Sequence, residues 1–482
     1  MKTKIKLLLL LISIGLFTSC FEDQDDNAIS ASEINDFVWK GMNAFYLYKS
    51  DIPDLANDRF SSNSEYADYL NSFSQPPALF ESLIYQRQTV DKYSWITDDY
   101  IALEQQFSGV SKHNGMEFAL RFAPGSSTNI YGFVRFVLPN TSASDQGLER
   151  GDIFYAVDGV NLTIDNYRSL LFSDNDTYTI NFGTYNTNGT PNNIDDDSID
   201  TTSESMTLTK VVYSENPVFK TEILEVNGEN VGYLMYNGFV KDYQSHLNNA
   251  FGEFVANNVQ HLVLDLRYNP GGRIDVATAL GGMITGQFNG QVYTKLIYND
   301  DRQSLNQNFN FTNTLDDGSA LNQLLLNEVY ILTTESSASA SEMVINSLKA
   351  YSELNVVHIG TTTTGKSQGS ITLYDSPNFA RNGVNPNHTY AMQPLVAISV
   401  NKNDGQVPPT GLVPDIELEE DITNLGILGN PSEPLLDRAL MEIEGSSRPF
   451  NYIAPIELIG DNNSFNKFAK EMYFDNPFID EE

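Results

Sequence analysis

The fold is indicated by the run His261-Leu262-Val263-Leu264-Asp265-Leu266, which is followed at once by Arg267-Tyr268-Asn269-Pro270-Gly271-Gly272. A short apolar run that ends in a Pro-Gly-Gly turn is typical of a strand buried on both faces. Similar runs recur along the chain at Val231–Tyr236, Val329–Thr333 and Val356–Gly360. Helical patterns lie between them, at Tyr243–Val255, Val276–Thr285 and Ser341–Tyr351. This alternation predicts a largely parallel α/β domain over residues 219–445.

The Pro-Gly-Gly turn is the first of three motifs that carry chemistry. Gly271 and Gly272 allow positive φ and let backbone N–H groups approach an oxyanion. By itself the turn also fits an ordinary connection between a strand and a helix.

The second motif follows a strand, opens a helix, and reads Thr334-Glu335-Ser336-Ser337-Ala338-Ser339-Ala340-Ser341-Glu342. A serine at that point lies where the helix N-terminus favours negative charge. Ser339 and Glu342 also have the Ser-x-x-Glu spacing of a capping box, so a structural role stands beside a nucleophilic one.

The third motif centres on Lys366, which lies in the window 355–374, where no acidic residue occurs. A lysine that acts as a base must be neutral, which requires burial and the absence of a carboxylate partner. The absence of acidic residues near Lys366 predicts that this lysine is buried and has no carboxylate partner. Gly360–Ser367 also matches the P-loop pattern, which leaves nucleotide binding as an alternative. The turn-like and β-branched residues 368–374 argue against it, because a P-loop needs a helix there.

Taken in order, the three motifs resemble those of the C-terminal processing (tail-specific) serine peptidases, which have a ClpP/crotonase-like fold. The resemblance implies an acyl-enzyme mechanism with Ser339 as nucleophile and Lys366 as base. It also implies three backbone oxyanion donors, at Gly271, Gly272 and Ala340. The run Gly411-Leu412-Val413-Pro414-Asp415 matches a further landmark of the family.

The chain departs from the family pattern after the lysine. The family often has a glutamine four residues on, where this chain has Ser370; we expect Gln368 to serve instead as the orienting catalytic residue. The altered position leaves a second hypothesis open, a catalytically impaired lipoprotein of the same fold that binds peptides or other ligands.

Residues 109–214 predict a separate, mostly β domain made of short alternating strands. The run Pro139–Ile153, followed by Val157-Asp158-Gly159-Val160, resembles a PDZ domain. PDZ domains bind a peptide as an added strand. The resemblance places the peptide-binding loop at Gly115, Met116 and Phe118. Glu117 stands there in place of a common glycine, and its charge would disfavour a bound carboxylate.

The first residues predict a targeting segment. Three lysines precede the apolar run Leu7–Phe17, which is too short for a stable membrane helix, and Thr18-Ser19-Cys20 follows. This ending resembles a bacterial lipobox. We therefore expect residues 1–19 to be a signal peptide and Cys20 to be lipidated. The protein would be a cell-envelope lipoprotein, on the periplasmic or outer surface of the outer membrane, that meets the membrane through its lipid only.

The remaining segments complete an α/β multidomain organisation. Residues 20–29 form an acidic tether, residues 30–108 a helical N-terminal domain, and residues 446–482 an extension without an assigned role.

Composition narrows the classes of partner. The 482 residues include 63 Asp and Glu against 28 Lys and Arg, a formal charge of −35, which argues against binding nucleic acid through a basic face. A single cysteine excludes a disulfide framework and multi-cysteine metal sites. The five histidines show no metal-ligand spacing. The expected partner is a polypeptide substrate, with neither cofactor nor metal.

Overall fold

A computed structural model describes residues 32–190, 193–446, 458–464, 466 and 469–476. The predicted signal peptide, Cys20 and the acidic tether lie outside these residues. Within the described ranges, no helix combines the length and the apolar character that crossing a membrane requires.

The N-terminal part is mainly helical, and its elements are α1 (Glu33–Phe45), α2 (Asn63–Asn71), α3 (Pro76–Ser82), β1 (Trp95–Thr97) and α4 (Tyr100–Phe107). Helix α1 buries Phe37, Val38, Met42 and Phe45, the side chains that recur at its inner face. These residues join one hydrophobic core with side chains of the α/β domain, such as Leu247 and Ile345. The N-terminal helices therefore pack directly onto the α/β domain and share its core.

A β-rich domain follows. Its elements are β2 (Val110–His113), β3 (Met116–Phe122), β4 (Ile130–Val137), α5 (Ser142–Asp145), β5 (Ile153–Val157), β6 (Val160–Asn161), α6 (Tyr167–Leu171), β7 (Thr177–Asn186), β8 (Ser198–Thr209) and β9 (Val211–Ser214). The main strands are ordered β3-β4-β5-β7-β8 and neighbours are antiparallel. The domain has a core of its own, to which Phe118, Phe154 and Leu171 contribute.

The third part is an α/β domain. Its elements are β10 (Val218–Val226), β11 (Glu229–Tyr236), α7 (Gln244–Ala256), β12 (Val259–Asp265), β13 (Gly272–Arg273), α8 (Ile274–Thr285), β14 (Val292–Tyr298), β15 (Gln307–Asn310), β16 (Glu328–Thr333), α9 (Ala340–Lys349), β17 (Asn355–Gly360), β18 (Gln368–Ser370), β19 (Leu373–Tyr374), β20 (Ala391–Gln393), β21 (Leu395–Val400), β22 (Ile416–Glu417) and α10 (Pro434–Glu444).

The sheet of this domain that positions the site has the order β10-β11-β12-β16-β17-β22 and is parallel from β11 to β22. The prediction of a parallel α/β core is thus confirmed. Strands β12, β16 and β17 are direct neighbours, so their carboxyl ends lie side by side. Each of the three sequence motifs begins at one of these ends, where open α/β sheets place their ligand sites.

Two short strands after α10 lie in different sheets. β23 (Leu458–Asp461) extends the sheet of the β-rich domain beside β3. β24 (Met472–Tyr473) lies between β13 and β18 in a second sheet of the α/β domain, ordered β13-β24-β18-β21-β14-β15.

Candidate active site

Ser339 occupies the N-cap of α9, at the end of the loop that follows β16. Its backbone has φ 64° and ψ −115°, which is a strained conformation for a residue with a side chain. The side chain is fully buried, and its hydroxyl makes no hydrogen bond to any of the described residues. A serine at a strained turn between a strand and a helix has the backbone setting of a catalytic nucleophile.

Glu342 holds the backbone around the nucleophile. Its buried carboxylate accepts hydrogen bonds from the Ser339 N–H at 2.7 Å, the Gly365 N–H at 2.7 Å and the Lys366 N–H at 2.9 Å. Thr363 adds its hydroxyl at 2.5 Å. Burial raises the pKa of Glu342, and these donors oppose the shift. The glutamate half of the predicted capping box is therefore present, and it ties the serine loop to the lysine loop.

Lys366 is fully buried at the end of its loop. Burial lowers the pKa of Lys366, as a base requires, although nearby carboxylates oppose the shift. Its amine donates to the Lys470 carbonyl oxygen at 2.6 Å and lies 3.3 Å from Glu471 Oε2. The ring of Tyr93 is 4.9 Å away. The expectation that this lysine has no carboxylate partner is wrong, because the partner comes from a segment more than a hundred residues away in sequence.

Glu471 is that partner, and nothing in the sequence singled it out. Besides Lys366, its carboxylate accepts the Trp95 indole N–H at 2.8 Å and the Ser370 hydroxyl at 2.7 Å. Its backbone carbonyl accepts the N–H of Gly272 at 2.6 Å. The only local signal was the strand-like run Met472-Tyr473-Phe474 that follows it.

The Pro-Gly-Gly turn presents one of its two amides to the site. The Gly271 N–H donates to Asn269 Oδ1 at 2.9 Å within the turn. The Gly272 N–H points to the Glu471 carbonyl. Both glycines have positive φ, 115° and 134°. Gly272 thus already binds a peptide carbonyl, whereas the expected donation from Gly271 is wrong for this structure. Ala340 begins α9, where amides have no intrahelical acceptor.

Nucleophile and turn are close together. A Cβ built on Gly271 would lie 2.8 Å from Ser339 Oγ and 2.6 Å from the Glu471 carbonyl oxygen. Only glycine fits there, and the serine hydroxyl and a bound peptide carbonyl flank the same residue.

The structure does not bring Gln368 to the lysine. Its amide donates to the Tyr48 hydroxyl at 3.2 Å, and no described residue contacts its Oε1 within hydrogen-bonding distance. Ser370 instead contacts the carboxylate that reaches Lys366, and it accepts the Gln393 amide at 3.1 Å. The expectation that Gln368 orients the lysine is therefore not met by this geometry.

The P-loop alternative is also wrong. The residues after Ser367 form strand β18 and not a helix. Gly365 packs so closely against the Pro409 carbonyl that a Cβ would lie 2.3 Å from it. A buried lysine before a strand has no helix N-terminus with which to hold phosphate.

The loop expected to bind peptides lies at the start of β3. Gly115 has φ 96°, and the Met116 carbonyl and the Phe118 N–H face the side chain of Asn462. Asn462 donates to the former at 3.0 Å and accepts from the latter at 2.5 Å. Glu117 pairs with His113 at 3.0 Å.

Family models match two parts of the chain. Residues 230–418 match peptidase family S41, and residues 33–95 match the peptidase S41 N-terminal domain. Together the two matches cover just over half of the chain.

Curated relatives agree with these matches. The chain is 29% identical over 182 residues to a "Probable CtpA-like serine protease" of Staphylococcus epidermidis, covering 36% of this chain and 34% of that protein. It is 24% identical over 274 residues to a carboxyl-terminal-processing protease of Picosynechococcus, covering 56% of this chain and 54% of that protein. The chain thus spans about a third to a half of the length of these relatives.

Solved structures extend the similarity over most of the chain. An S41 protease homologue from Bacteroides fragilis superposes with a TM-score of 0.65 at 26% identity, covering 85% of this chain and 97% of that one. The photosystem II D1 C-terminal processing protease has the same fold, with a TM-score of 0.50 at 16% identity over 86% of this chain and 99% of that one. Motifs, geometry and matched domains lead to one conclusion: the chain belongs to peptidase family S41.

Proposed function

We propose that the protein is a serine endopeptidase in which Ser339 attacks a peptide carbonyl and Lys366 acts as the base. The observation that carries the proposal is the strained strand-to-helix turn at Ser339, whose Oγ lies 2.8 Å from a Cβ built on Gly271, the residue before the Gly272 amide that already holds a peptide carbonyl. Burial of Lys366 supplies the second requirement, a lysine that loses its proton more easily than an exposed one.

The proposed reaction is an acyl transfer to Ser339. Neutral Lys366 takes the hydroxyl proton of Ser339 as Oγ bonds to the carbonyl carbon. The Gly272 and Ala340 amides stabilise the oxyanion, each such donor contributing about 3–4 kcal/mol. The C–N bond then breaks, the protonated lysine gives its proton to the leaving amine, and water hydrolyses the acyl-enzyme.

The β-rich domain is proposed to be PDZ-like and to engage the substrate as an added strand along β3. Its support is the sheet order, with a positive-φ glycine directly before β3. The protein is further proposed to be anchored to the cell envelope through Cys20.

A fluorophosphonate probe tests the assignment. The full chain should form a covalent adduct that Ser339→Ala abolishes, and it should degrade an unfolded polypeptide such as labelled casein. Lys366→Ala should lose both signals, whereas Ser352→Ala, an exposed serine, should keep them. Full activity in Ser339→Ala or Lys366→Ala would refute the assignment. Peptide binding without any adduct would favour a binding protein that has lost catalysis.

A further inference from the structure

The described part of the chain after α10 runs along both places where a polypeptide strand would bind. We use the term C-terminal segment for the described residues of this region, 458–464, 466 and 469–476. Its first strand, β23, pairs antiparallel with β3, with Asp461 opposite Ala119. Its second strand, β24, pairs in parallel with β13 and β18.

On the β-rich domain, the C-terminal segment covers an edge strand. Strand β3 has β4 on one side, and β23 takes the other side. Ile459 packs against the core of the domain, to which helix α6 contributes. The side-chain amide of Asn462 donates to the Met116 carbonyl and accepts from the Phe118 N–H, at the start of β3. This is strand addition, the mode by which peptides dock on exposed sheet edges.

A buried ion pair fixes this docking. The Arg135 guanidinium donates to Asp461 Oδ2 at 2.9 Å, and the Ser336 hydroxyl donates to the same oxygen at 2.7 Å. Although burial would raise it, Arg135 holds the pKa of Asp461 at about 2. Because Ser336 belongs to the loop of the nucleophile, the contact joins the β-rich domain, the C-terminal segment and the active site.

In the active site, the C-terminal segment lies between β13, which contains Gly272, and β18, which follows Lys366. β24 completes a sheet that would otherwise be interrupted between β13 and β18. The Tyr473 ring stacks on Phe107 with centroids 4.0 Å apart, and Asp475 pairs with Arg273 at 2.9 Å. Main-chain bonds and side-chain subsites together are the contacts a bound polypeptide makes in a strand-binding groove.

The arrangement of the catalytic groups is that of a blocked site. The amine of Lys366 donates to the Lys470 carbonyl and contacts Glu471, while the hydroxyl of Ser339 has no partner among the described residues. The base is thus engaged by the C-terminal segment and is not hydrogen-bonded to the nucleophile.

We propose that the C-terminal segment is an internal competitor of the substrate, which occupies both strand-binding edges and must leave before a polypeptide can be cleaved. The inference rests on the proposed peptidase function. It also names the substrate class that the groove accepts, an extended polypeptide with apolar side chains in the places of Met472 and Phe474, which the hydrophobic core buries.

The occupied groove is accessible from one side. An open cavity adjoins the segment and is lined by all three parts of the molecule, among them Glu117, Phe136, Tyr268, Gly272, Lys470 and Glu471. A competing strand therefore has a route to the backbone of residues 470 and 471.

Truncation tests the proposal. A chain ending at Phe468 lacks β24, and a chain ending at Ser446 lacks β23 as well. We expect each truncation to raise kcat/KM for labelled casein at least about tenfold, because a tethered competitor acts at millimolar effective concentration. Glu471→Ala in the full chain should also raise kcat/KM. Glu444→Ala, which removes an exposed acidic side chain from α10, should leave kcat/KM unchanged. Unchanged kcat/KM in the truncated chains and in Glu471→Ala would overturn the proposal.

A binding experiment separates this proposal from the peptidase assignment. A fluorescent peptide of residues 470–476 should bind the chain ending at Phe468 in the Ser339→Ala background and should not bind the full-length Ser339→Ala chain. The same peptide with alanine for Glu471 should bind at least about tenfold more weakly, since it lacks the charged contact. Equal binding to both chains, or none to the truncated chain, overturns the internal competitor whether or not the protein turns over casein. Absence of any fluorophosphonate adduct in both the full-length and the truncated chain with Ser339 intact would instead refute the peptidase.

Discussion

At the scale of single residues, the backbone of Ser339 stores free energy. Its positive φ costs a non-glycine residue of order 1–3 kcal/mol, and the loop is held there by the Glu342 carboxylate. The strained turn positions the nucleophile and lowers the stability of the fold.

This strain makes a measurable prediction. Ser339→Gly should remove the steric cost and stabilise the protein by about 1 kcal/mol, while abolishing adduct formation. Urea denaturation measures the change. Ser352→Gly, in an exposed turn without positive φ, should give no gain, and a destabilised Ser339→Gly would contradict the strain argument.

Lys366 makes the block by the C-terminal segment pH-dependent. The acidic and phenolic groups that face its amine are Glu471, Glu342, Asp91 and Tyr93. Burial lowers the pKa of Lys366, and Glu471 raises it again when the C-terminal segment is docked. Docking is therefore favoured while the lysine is charged, and this contribution is lost as pH rises through the pKa of the docked state.

The ratio of kcat/KM between the chain ending at Phe468 and the full chain should accordingly fall as pH rises through the pKa that Lys366 has in the docked state. Glu471→Gln should flatten the dependence, because the neutral amide does not raise the pKa of the lysine. A ratio that grows with pH would contradict this sign.

At the scale of elements, the Pro-Gly-Gly turn is fixed by close contacts. A Cβ on Gly272 would lie 2.4 Å from the Phe239 carbonyl oxygen, at a φ of 134°. Because this clash would displace the Gly272 amide, we expect Gly272→Ala to reduce kcat/KM at least about a hundredfold, as the loss of one oxyanion donor does.

Gly228 supplies the matched control, because it has φ 83° and a Cβ added to it would meet no atom within 4 Å. Gly228→Ala should cost about 1 kcal/mol of stability from strain alone and leave kcat/KM unchanged. Equal kinetics for the two variants would mean that the amide of Gly272 is not an oxyanion donor.

The elements also show what could be predicted from the sequence. Each of the three motifs is a contiguous run at the end of a buried strand, so their order along the sequence was enough to show the family resemblance that singles out Ser339, Lys366 and the glycine turn. Gln368 does not orient the lysine because its amide contacts the Tyr48 hydroxyl, which comes from a part of the chain distant in sequence.

Glu471 was not predictable for a different reason. It lies 105 residues from Lys366, and the strand that positions it has two residues. Pairing of so short a strand depends on the two edges that receive it, which only the assembled fold brings together. The sequence around Lys366 contains no acidic residue, but the folded chain brings the Glu471 carboxylate to the amine of Lys366.

At the scale of the whole molecule, Arg267 connects the catalytic sheet to the last helix. It is fully buried and pairs with Asp265 at the end of β12 and with Glu433 at the cap of α10, both at 2.7 Å. Glu420 joins the pair at 3.0 Å. Removal of the guanidinium would leave buried carboxylates unpaired.

Arg267→Leu should therefore destabilise the protein by about 3–5 kcal/mol, the cost of an uncompensated buried charge. Thermal or urea denaturation measures it. Arg59→Leu removes a surface guanidinium that also contacts two carboxylates, and it should change stability little. Similar effects of the two substitutions would show that burial does not set the cost.

The indole of Trp95 gives the molecule a built-in optical signal. The chain has two tryptophans, and Trp39 donates to the Asp54 carbonyl within the N-terminal helices, whereas Trp95 donates to Glu471. In a Trp39→Phe chain, emission should come from Trp95 alone and should shift when the indole loses its buried carboxylate. Stopped-flow mixing with an unlabelled substrate would then measure how fast the C-terminal segment leaves. If the full-length Trp39→Phe chain had the same emission spectrum as the Trp39→Phe chain ending at Phe468, the segment would not be docked in solution.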